Sequence, residues 1–197
     1  MAAMTPLGGT STVTEEALDF EAFYRREWPR LTALGWSLTG SWATAEELAQ
    51  DAFADAYRRW RMVSGLERPG TWVRRAVINR SVSHHRRRRV ESRGVLRLGA
   101  GLERTSDGAE AAADGGDAAF WDAVRALPAR QAQCVALHYL EDRSVADIAA
   151  IVGCGEATVR VHLHRGRQRL ATTLGAHTGV ATVVPISRND DDEGARE

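Results

Sequence analysis

The sequence contains no lysine, only two cysteines and no long apolar run in its 197 residues. Without a CxxC pair, Cys134 and Cys154 argue against a disulfide scaffold and against a zinc site of the usual ligand spacing. We expect both to be small buried residues of a cytoplasmic protein. Because no apolar stretch is long enough to cross a bilayer, no membrane insertion is expected. The N-terminus also lacks the basic segment followed by an apolar one that is typical of a secretory signal.

Histidine occurs six times, but no pair has the spacing of metal ligands and no catalytic triad is evident. Four of these residues, His84, His85, His162 and His164, lie in arginine-rich stretches. We therefore expect no catalytic site, no metal site and no cofactor, and the chain is not expected to be an enzyme.

A formal net charge of zero conceals an uneven distribution of charge along the chain. Residues 20–89 carry fourteen arginines against seven acids, and residues 120–174 carry seven arginines against five acids. The compensating acids lie in segments with little apolar periodicity. Two basic modules between acidic segments indicate a polyanionic partner. Arginine suits bidentate contacts to phosphate and guanine, although a genome-wide compositional bias would produce the same usage.

The spacing of apolar residues predicts an all-α chain of two small helical domains joined by a flexible linker. The predicted segments are a disordered N-terminus at 1–19, a first domain at 20–89, a flexible acidic linker at 90–119, a second domain at 120–174 and a flexible C-terminal tail at 175–197. The linker is rich in Gly, Ala and Asp, which favours a tether over a packed element.

Local signals predict three details of the first domain. Pro29 removes a backbone donor, so we expect a break or kink in the helix just before it. Thr44 is the expected N-cap of the clearest amphipathic helix in the chain. A loop is expected at residues 62–70, followed by a last helix at about residues 71–89.

Residues 144–170 have the pattern of two short helices around a three-residue turn, the length found in a helix-turn-helix. Gly153 is predicted to end the first helix in the left-handed conformation. The second helix has arginine and histidine opposite an apolar stripe formed by Val159, Leu163, Gly166 and Leu170. Such a helix suits the major groove of DNA. The alternative is an amphipathic hairpin with a solvated charged face.

Two stretches of the chain resemble a known family. The first contains AEELAQDAFADAYRRW, a loop and TWVRRAVINRSVSHHRRRR, and the second contains ALPARQAQCVALHYLEDRSVADIAAIVGCGEATVRVHLHRGRQRL. Together they resemble domains two and four of an extracytoplasmic-function (ECF) sigma factor, a member of the sigma-70 family of bacterial RNA polymerase. The order of the two halves, with a tether in place of the middle sigma domain, makes the resemblance specific. The helix-turn-helix alone also occurs in response-regulator output domains.

The resemblance implies a polymerase-binding helix in the first domain. The segment that docks on the coiled-coil clamp helices of the beta-prime subunit is matched by the helix around Glu47, Leu48, Gln50, Asp51 and Phe53. The residues assigned to polymerase binding are Glu47, Leu48, Gln50, Asp51 and Arg58. The alternative is an ordinary surface helix of a small bundle. Leu48 is expected to be a core position in either case.

The resemblance assigns the loop at residues 62–70 and the following helix to the minus-ten promoter element. Asn79 matches a residue of the pocket that holds a flipped base, and Arg74 is expected to contact phosphate. The residues assigned to this element are Trp72, Arg75, Asn79, Arg80, Ser83, Arg86 and Arg87. The alternatives are a core role for Trp72, an ordinary surface role for Asn79 and a solvated helix end for the arginine run.

The second helix of the helix-turn-helix matches the part of the family that contacts the minus-thirty-five element. The residues assigned to this element are Thr158, Arg160, Val161, His162, His164, Arg165 and Arg167. Three positions depart from the family's usual residues: Gly155, Ala157 and Val161. Since valine can touch a thymine methyl but cannot hydrogen-bond a base, these departures are expected to affect the promoter sequence and not the mode of binding.

The resemblance implies a sigma factor that binds core polymerase through the beta-prime clamp helices and the beta subunit, recognises both promoter elements and promotes initiation. The alternative is a helix-turn-helix regulator that binds duplex DNA without polymerase. An anti-sigma factor is a candidate further partner. The acidic stretch at residues 103–117 either mimics nucleic acid inside the polymerase or serves as a plain spacer.

Overall fold

The computed structural model describes residues 10–97 and 115–178, with side chains for 19–83 and 118–175. These residues form helices and contain no strand, as the all-α prediction requires. The first module comprises α1 (Thr10–Thr39), α2 (Trp42–Arg58), α3 (Trp60–Ser64) and α4 (Pro69–Arg97). The second module comprises α5 (Gly115–Ala126), α6 (Ala129–Tyr139), α7 (Val145–Val152) and α8 (Glu156–Thr178).

An aromatic cluster between α1, α2 and α3 forms the core of the first module. Phe23, Phe53 and Trp60 are all buried, and the ring centroid of Phe23 lies 5.1 Å from that of Trp60 and 6.0 Å from that of Phe53. Helices α1 and α2 also approach each other closely, because a Cβ added at Gly35 would lie only 3.0 Å from the Cα of Ala45. The core therefore fixes α2 against α1 and leaves the opposite side of α2 exposed.

Helix α1 continues through Pro29, so a break there is wrong, while the kink given as its alternative stays a prediction. Proline removes one backbone hydrogen bond from the helix. Packing supports the helix on both sides of the proline, because Phe23 before it and Leu31 after it are buried in the same cluster. Thr32 Oγ1 also donates to the carbonyl of Trp28 at 3.0 Å, which occupies an acceptor near the proline.

The N-cap of α2 is Ser41 and not the predicted Thr44. Gly40 has a φ of 74°, in the left-handed region, and follows the last residue of α1. Ser41 is extended, and its Oγ accepts a hydrogen bond from the backbone N–H of Thr44 at 3.3 Å. The connection between α1 and α2 is therefore two residues long, shorter than the sequence suggested.

Three predicted irregular segments are shorter than expected. Helix α1 begins at Thr10, α4 continues to Arg97 and α8 continues to Thr178. Extending an existing helix costs much less than nucleating a new one, so weak helix formers can prolong an element that packing has started. The remaining parts of the predicted N-terminus, linker and tail, including most of the acidic stretch at residues 103–117, lie outside the described residues.

Helix α6 lies at the centre of the second module, and each residue from 131 to 137 is buried. Cys134 is among them, which confirms that it is a core residue, and burial raises the pKa of its thiol to about 12. Cys154 is half-buried against the same cluster. Two buried glutamines on α6 are hydrogen-bonded, since Gln131 accepts from Arg169 at 3.0 Å and Gln133 donates to the carbonyl of Ile78 at 3.1 Å.

Candidate nucleic-acid interface

Helices α7 and α8 form the predicted helix-turn-helix. Ser144 caps α7, because its Oγ accepts a hydrogen bond from the backbone N–H of Asp147 at 3.1 Å. Gly153 ends α7 with a φ of 75°, and its N–H donates to the carbonyl of Ala149 at 2.9 Å. The next helix begins at Glu156. Local capping therefore defines both ends of the first helix.

The predicted apolar stripe holds α8 against the rest of the second module. Val159, Leu163 and Leu170 are buried, as expected. A Cβ added at Gly166 would lie 2.9 Å from Cγ2 of Val135 on α6, which is closer than an ordinary contact. Glycine at this position therefore lets α8 and α6 approach, and the approach determines which side of α8 faces outward.

The outward side of α8 presents exposed polar and cationic side chains around one exposed apolar residue. Val161 is 45% exposed. His164 and Arg165 are exposed and make no hydrogen bond or ion pair with other described residues. Arg160, also exposed, forms an i,i+4 pair with Glu156 at 3.0 Å. Thr158, which was also predicted, is exposed on the same side.

One residue of this outer face was absent from the predicted set. Gln168 is exposed and follows Val161 by seven residues and Arg165 by three, so it shares their side of the helix. A glutamine side chain can both donate to and accept from a base edge. Helical spacing alone could have identified it, but the prediction followed charged residues and family positions.

Two predicted residues of the recognition helix turn toward the protein. His162 is half-buried with an unpartnered Nδ1, and burial together with the nearby cations Arg130 and Arg165 lowers its pKa. Arg167 donates from Nε to the hydroxyl of Tyr139 at 3.0 Å. Its guanidinium also lies 5.8 Å from the centroid of that ring. Arg167 therefore holds α8 against α6, and burial disfavours the charged form of His162.

The residues predicted to contact the minus-ten element lie along α4, but not on one surface. Trp72 is half-buried against the first-module core. Asn79 and Ser83 are exposed, and the Asn79 side chain makes no hydrogen bond with other described residues. Arg80 is paired with Asp55 of α2. The side chains of Arg86 and Arg87 lie outside the described residues.

Arg74 cannot contact phosphate in this structure, so that prediction is wrong. Its side chain is 2% exposed, and Nη2 lies 2.8 Å from a carboxylate oxygen of Glu27 on α1. Nη1 donates to the carbonyl of Gly70 at 3.0 Å, and Nε donates to Glu141 of the second module. Burial alone would raise the pKa of Glu27, but the charge and hydrogen bonds of Arg74 and Arg26 lower it overall. Arg74 is therefore a buried cation between two carboxylates.

The outer side of α2 forms a continuous exposed stripe. Glu47, Asp51 and Arg58 follow one another at i, i+4 and i+11, and each is exposed. Gln50 is exposed beside them. Leu48 is only 8% exposed and belongs to the core, so it supports the stripe from beneath and is not part of its surface.

Comparison with known proteins assigns both modules to one family. A family model of sigma-70 region 2 matches residues 23–91, and a model of sigma-70 region 4 matches residues 117–170. The RNA polymerase sigma-E factor of Streptomyces antibioticus is 30% identical over 160 residues, which cover 81% of this chain and 86% of that protein. The chain belongs to the ECF group of the sigma-70 family. The resemblance seen in the sequence is thus confirmed.

Other comparisons agree with this assignment. The RNA polymerase sigma-E factor of Streptomyces coelicolor is 29% identical to this sigma factor. The aligned residues cover 82% of this chain and 89% of that protein. A solved structure of the sigma factor RpoE with the anti-sigma factor NepR from Bartonella quintana matches with a TM-score of 0.65 and 26% identity. That match covers 79% of this chain and 96% of the solved one. The alternative of a helix-turn-helix regulator without sigma function is not favoured, since both sigma regions are present.

The described part of this sigma factor contains neither a metal-binding cluster nor a membrane-spanning helix. No group of histidine, cysteine or acidic residues within it could hold a metal ion. None of the helices searched there has the length and hydropathy of a membrane span. Its function is that of a transcription initiation factor of RNA polymerase.

Proposed function

We propose that this sigma factor recognises promoter DNA and binds core polymerase through three separate surfaces. The outer face of α8 reads the minus-thirty-five element in the major groove, and its residues are Thr158, Arg160, Val161, His164, Arg165 and Gln168. The observation that carries this proposal is the exposed Arg165, which has no ion pair within the described residues and lies on a helix whose opposite side is packed. Its guanidinium is available for the two acceptors of a guanine.

The second surface is the exposed side of α4, which we propose binds the minus-ten element. Asn79 is available there with an amide that can donate and accept at once, as a flipped base requires. Ser83, four residues further along, extends the same side of the helix. Arg75 is exposed on this side as well. Arg80 contributes to this surface only if it exchanges Asp55 for a phosphate.

The third surface is the α2 stripe of Glu47, Asp51 and Arg58 with Gln50, which we propose binds the clamp helices of the beta-prime subunit. The stripe offers both charge signs and an amide on a rigid helix, so it suits a preformed helical partner with mixed charge. Contact between the second module and the beta subunit belongs to the same proposal. These surfaces imply no catalytic group, so the protein acts as a binding factor and not as an enzyme.

A location in the cell and one further partner follow from this role. The protein works in the cytoplasm, because core polymerase and promoter DNA are there. An anti-sigma factor is proposed as a regulatory partner, since the solved relative RpoE is bound to the anti-sigma factor NepR.

The proposal for α8 is tested by Arg165→Ala, with Arg25→Ala as a control that removes the same charge from an exposed site on α1. A bidentate arginine–guanine contact is worth about 1–3 kcal/mol of discrimination, which corresponds to about 5- to 150-fold. Binding of the full chain to duplexes that carry single changes in the minus-thirty-five element should lose selectivity at one position in Arg165→Ala alone. An equal loss on every duplex would make Arg165 a phosphate contact and refute its reading role.

A further inference from the structure

Helices α2 and α4 are joined by a carboxylate that two arginines share. Oδ2 of Asp55 on α2 accepts a hydrogen bond from Nη2 of Arg80 on α4. Oδ1 of the same carboxylate accepts a hydrogen bond from Nη2 of Arg58, which lies one turn further along α2. The hydrogen bonds from Arg58 and from Arg80 lower the pKa of Asp55, although burial opposes them. Asp55 is therefore a carboxylate anion that is held at both of its oxygens.

The two arginines belong to different surfaces of the first module. Arg58 is exposed on the α2 stripe, whereas Arg80 lies on α4 directly after Asn79 and has 30% of its side chain exposed. Ser83 follows Arg80 by three residues and so shares its side of α4. A nucleic-acid strand that contacts Asn79 and Ser83 would therefore pass close to the Arg80–Asp55 pair.

The Asp55 carboxylate binds Arg80 in the way that a backbone phosphate would. Carboxylate and phosphate both present anionic oxygens that accept hydrogen bonds from a guanidinium. A phosphate that approaches Arg80 therefore has to displace Asp55, and the negative charge of Asp55 repels the phosphate until then. A second carboxylate is a weaker partner, since Oδ2 of the exposed Asp51 lies 3.9 Å from Nε of Arg80, beyond hydrogen-bond distance.

Displacement of Asp55 by a phosphate leaves no charge of this group without a partner. When Arg80 turns to DNA, Oδ1 of Asp55 keeps its hydrogen bond from Arg58. The side chains of Asp55 and Arg80 are 28% and 30% exposed, so water reaches both of them. An ion pair that is open to water is weak. The Asp55–Arg80 pair can therefore occupy Arg80 in the absence of DNA and still be replaced when DNA is present.

We propose that Asp55 is a positioning residue that keeps Arg80 from contacting nucleic acid in the free sigma factor. Binding of a strand to α4 replaces the Arg80–Asp55 pair by a pair between Arg80 and a backbone phosphate. Because every strand carries phosphates, Asp55 weakens the part of binding that does not depend on sequence and leaves base recognition to residues such as Asn79. The proposal rests on the proposed function only where it places nucleic acid on α4.

The salt dependence of binding between the full chain and a labelled oligothymidine strand tests this role of Asp55. Asp55→Asn releases Arg80 and should tighten binding about fivefold. It should also make the slope of log affinity against log salt concentration more negative by about 0.7, the value for one further phosphate contact on a single strand. Asp55→Glu keeps a carboxylate and should behave as the wild type does. Glu46→Gln, which removes a charge from an exposed site near the start of α2, should leave both quantities near their wild-type values.

A double-mutant cycle separates the release of Arg80 from a general loss of negative charge. In an Arg80→Ala background, Asp55→Asn should no longer change the salt dependence, because no guanidinium is left to release. An equal effect of Asp55→Asn with and without Arg80 would overturn the proposal, and so would equal affinities and slopes for the wild type and Asp55→Asn. If Asp55→Asn loses its helical circular dichroism, Asp55→Ala takes its place in the cycle, since alanine favours the helix.

Transcription with core polymerase tests the proposed function separately from the role of Asp55. If the wild type directs transcription from promoters but Asp55→Asn binds oligothymidine as the wild type does, the role of Asp55 is refuted and the sigma function stands. If Asp55→Asn has the expected effect on oligothymidine binding but the wild type directs no transcription, the role of Asp55 is supported and the sigma function is refuted.

Discussion

Gly166→Ala should destabilise the second module although alanine is the better helix former. The new Cβ would lie 2.9 Å from Cγ2 of Val135, whereas carbon atoms pack best at about 3.5–4.0 Å. Val135 is fully buried and β-branched, so its side chain has little freedom to move away. Overpacking of this kind costs about 1–3 kcal/mol. The gain in helix propensity, about 1 kcal/mol for glycine to alanine, offsets only part of that cost.

Gly175→Ala is the matched control for this substitution. It makes the same change in the same helix, but an added Cβ there meets no atom within 4 Å. Urea unfolding should therefore place Gly166→Ala about 1–3 kcal/mol below Gly175→Ala. Because the same contact seats α8, Gly166→Ala should also weaken duplex binding while Gly175→Ala does not. A Gly166→Ala protein as stable as Gly175→Ala would refute the close approach of α8 and α6.

Three other substitutions test separate parts of the molecule. Ser144→Ala should cost about 1 kcal/mol in urea unfolding because it removes the cap of α7, and no loss would mean that the cap is dispensable. The lowered pKa of Glu27 means that its stabilising effect is full above its ordinary pKa of 4.5 and is lost as pH falls through the lower folded value. The stability difference between wild type and Glu27→Gln should accordingly shrink below about pH 4.5, and a constant difference would contradict the ion pair. Asn79→Ala should shift minus-ten preference in a promoter-opening assay without weakening polymerase binding, and a loss of polymerase binding would make the residue structural.

The helix-turn-helix could be predicted almost completely from the sequence, because its signals are local. Each signal depends on residues within two helical turns of one another. These signals are Gly153 at the end of the first helix, the apolar stripe that includes Val159 and Leu163, and the cationic side of the second helix. The continuity of α1 through Pro29 could not be predicted in the same way. It depends on packing against residues far away in the sequence, and packing outweighs the cost of one missing backbone donor.

The site assignments show the same limit. In the sequence every arginine has the same positive charge, so charge does not distinguish them. Arg74 is buried and hydrogen-bonded to a carboxylate 67 residues away in the sequence. Arg167 is hydrogen-bonded to Tyr139, 28 residues earlier. Only the tertiary structure separates these two from Arg165, which stays exposed. The contact between the two modules was missed because each module's pattern already accounted for a core of its own.

Promoter selection by the complete protein tests the central claim most directly. Purified core polymerase would transcribe a library of random promoters with and without the full chain, and the transcripts would be sequenced. The account predicts transcripts that depend on the chain and come from templates sharing two sequence elements at a fixed spacing. The account would be contradicted if the transcripts are identical with and without the chain, although the chain still binds duplex DNA.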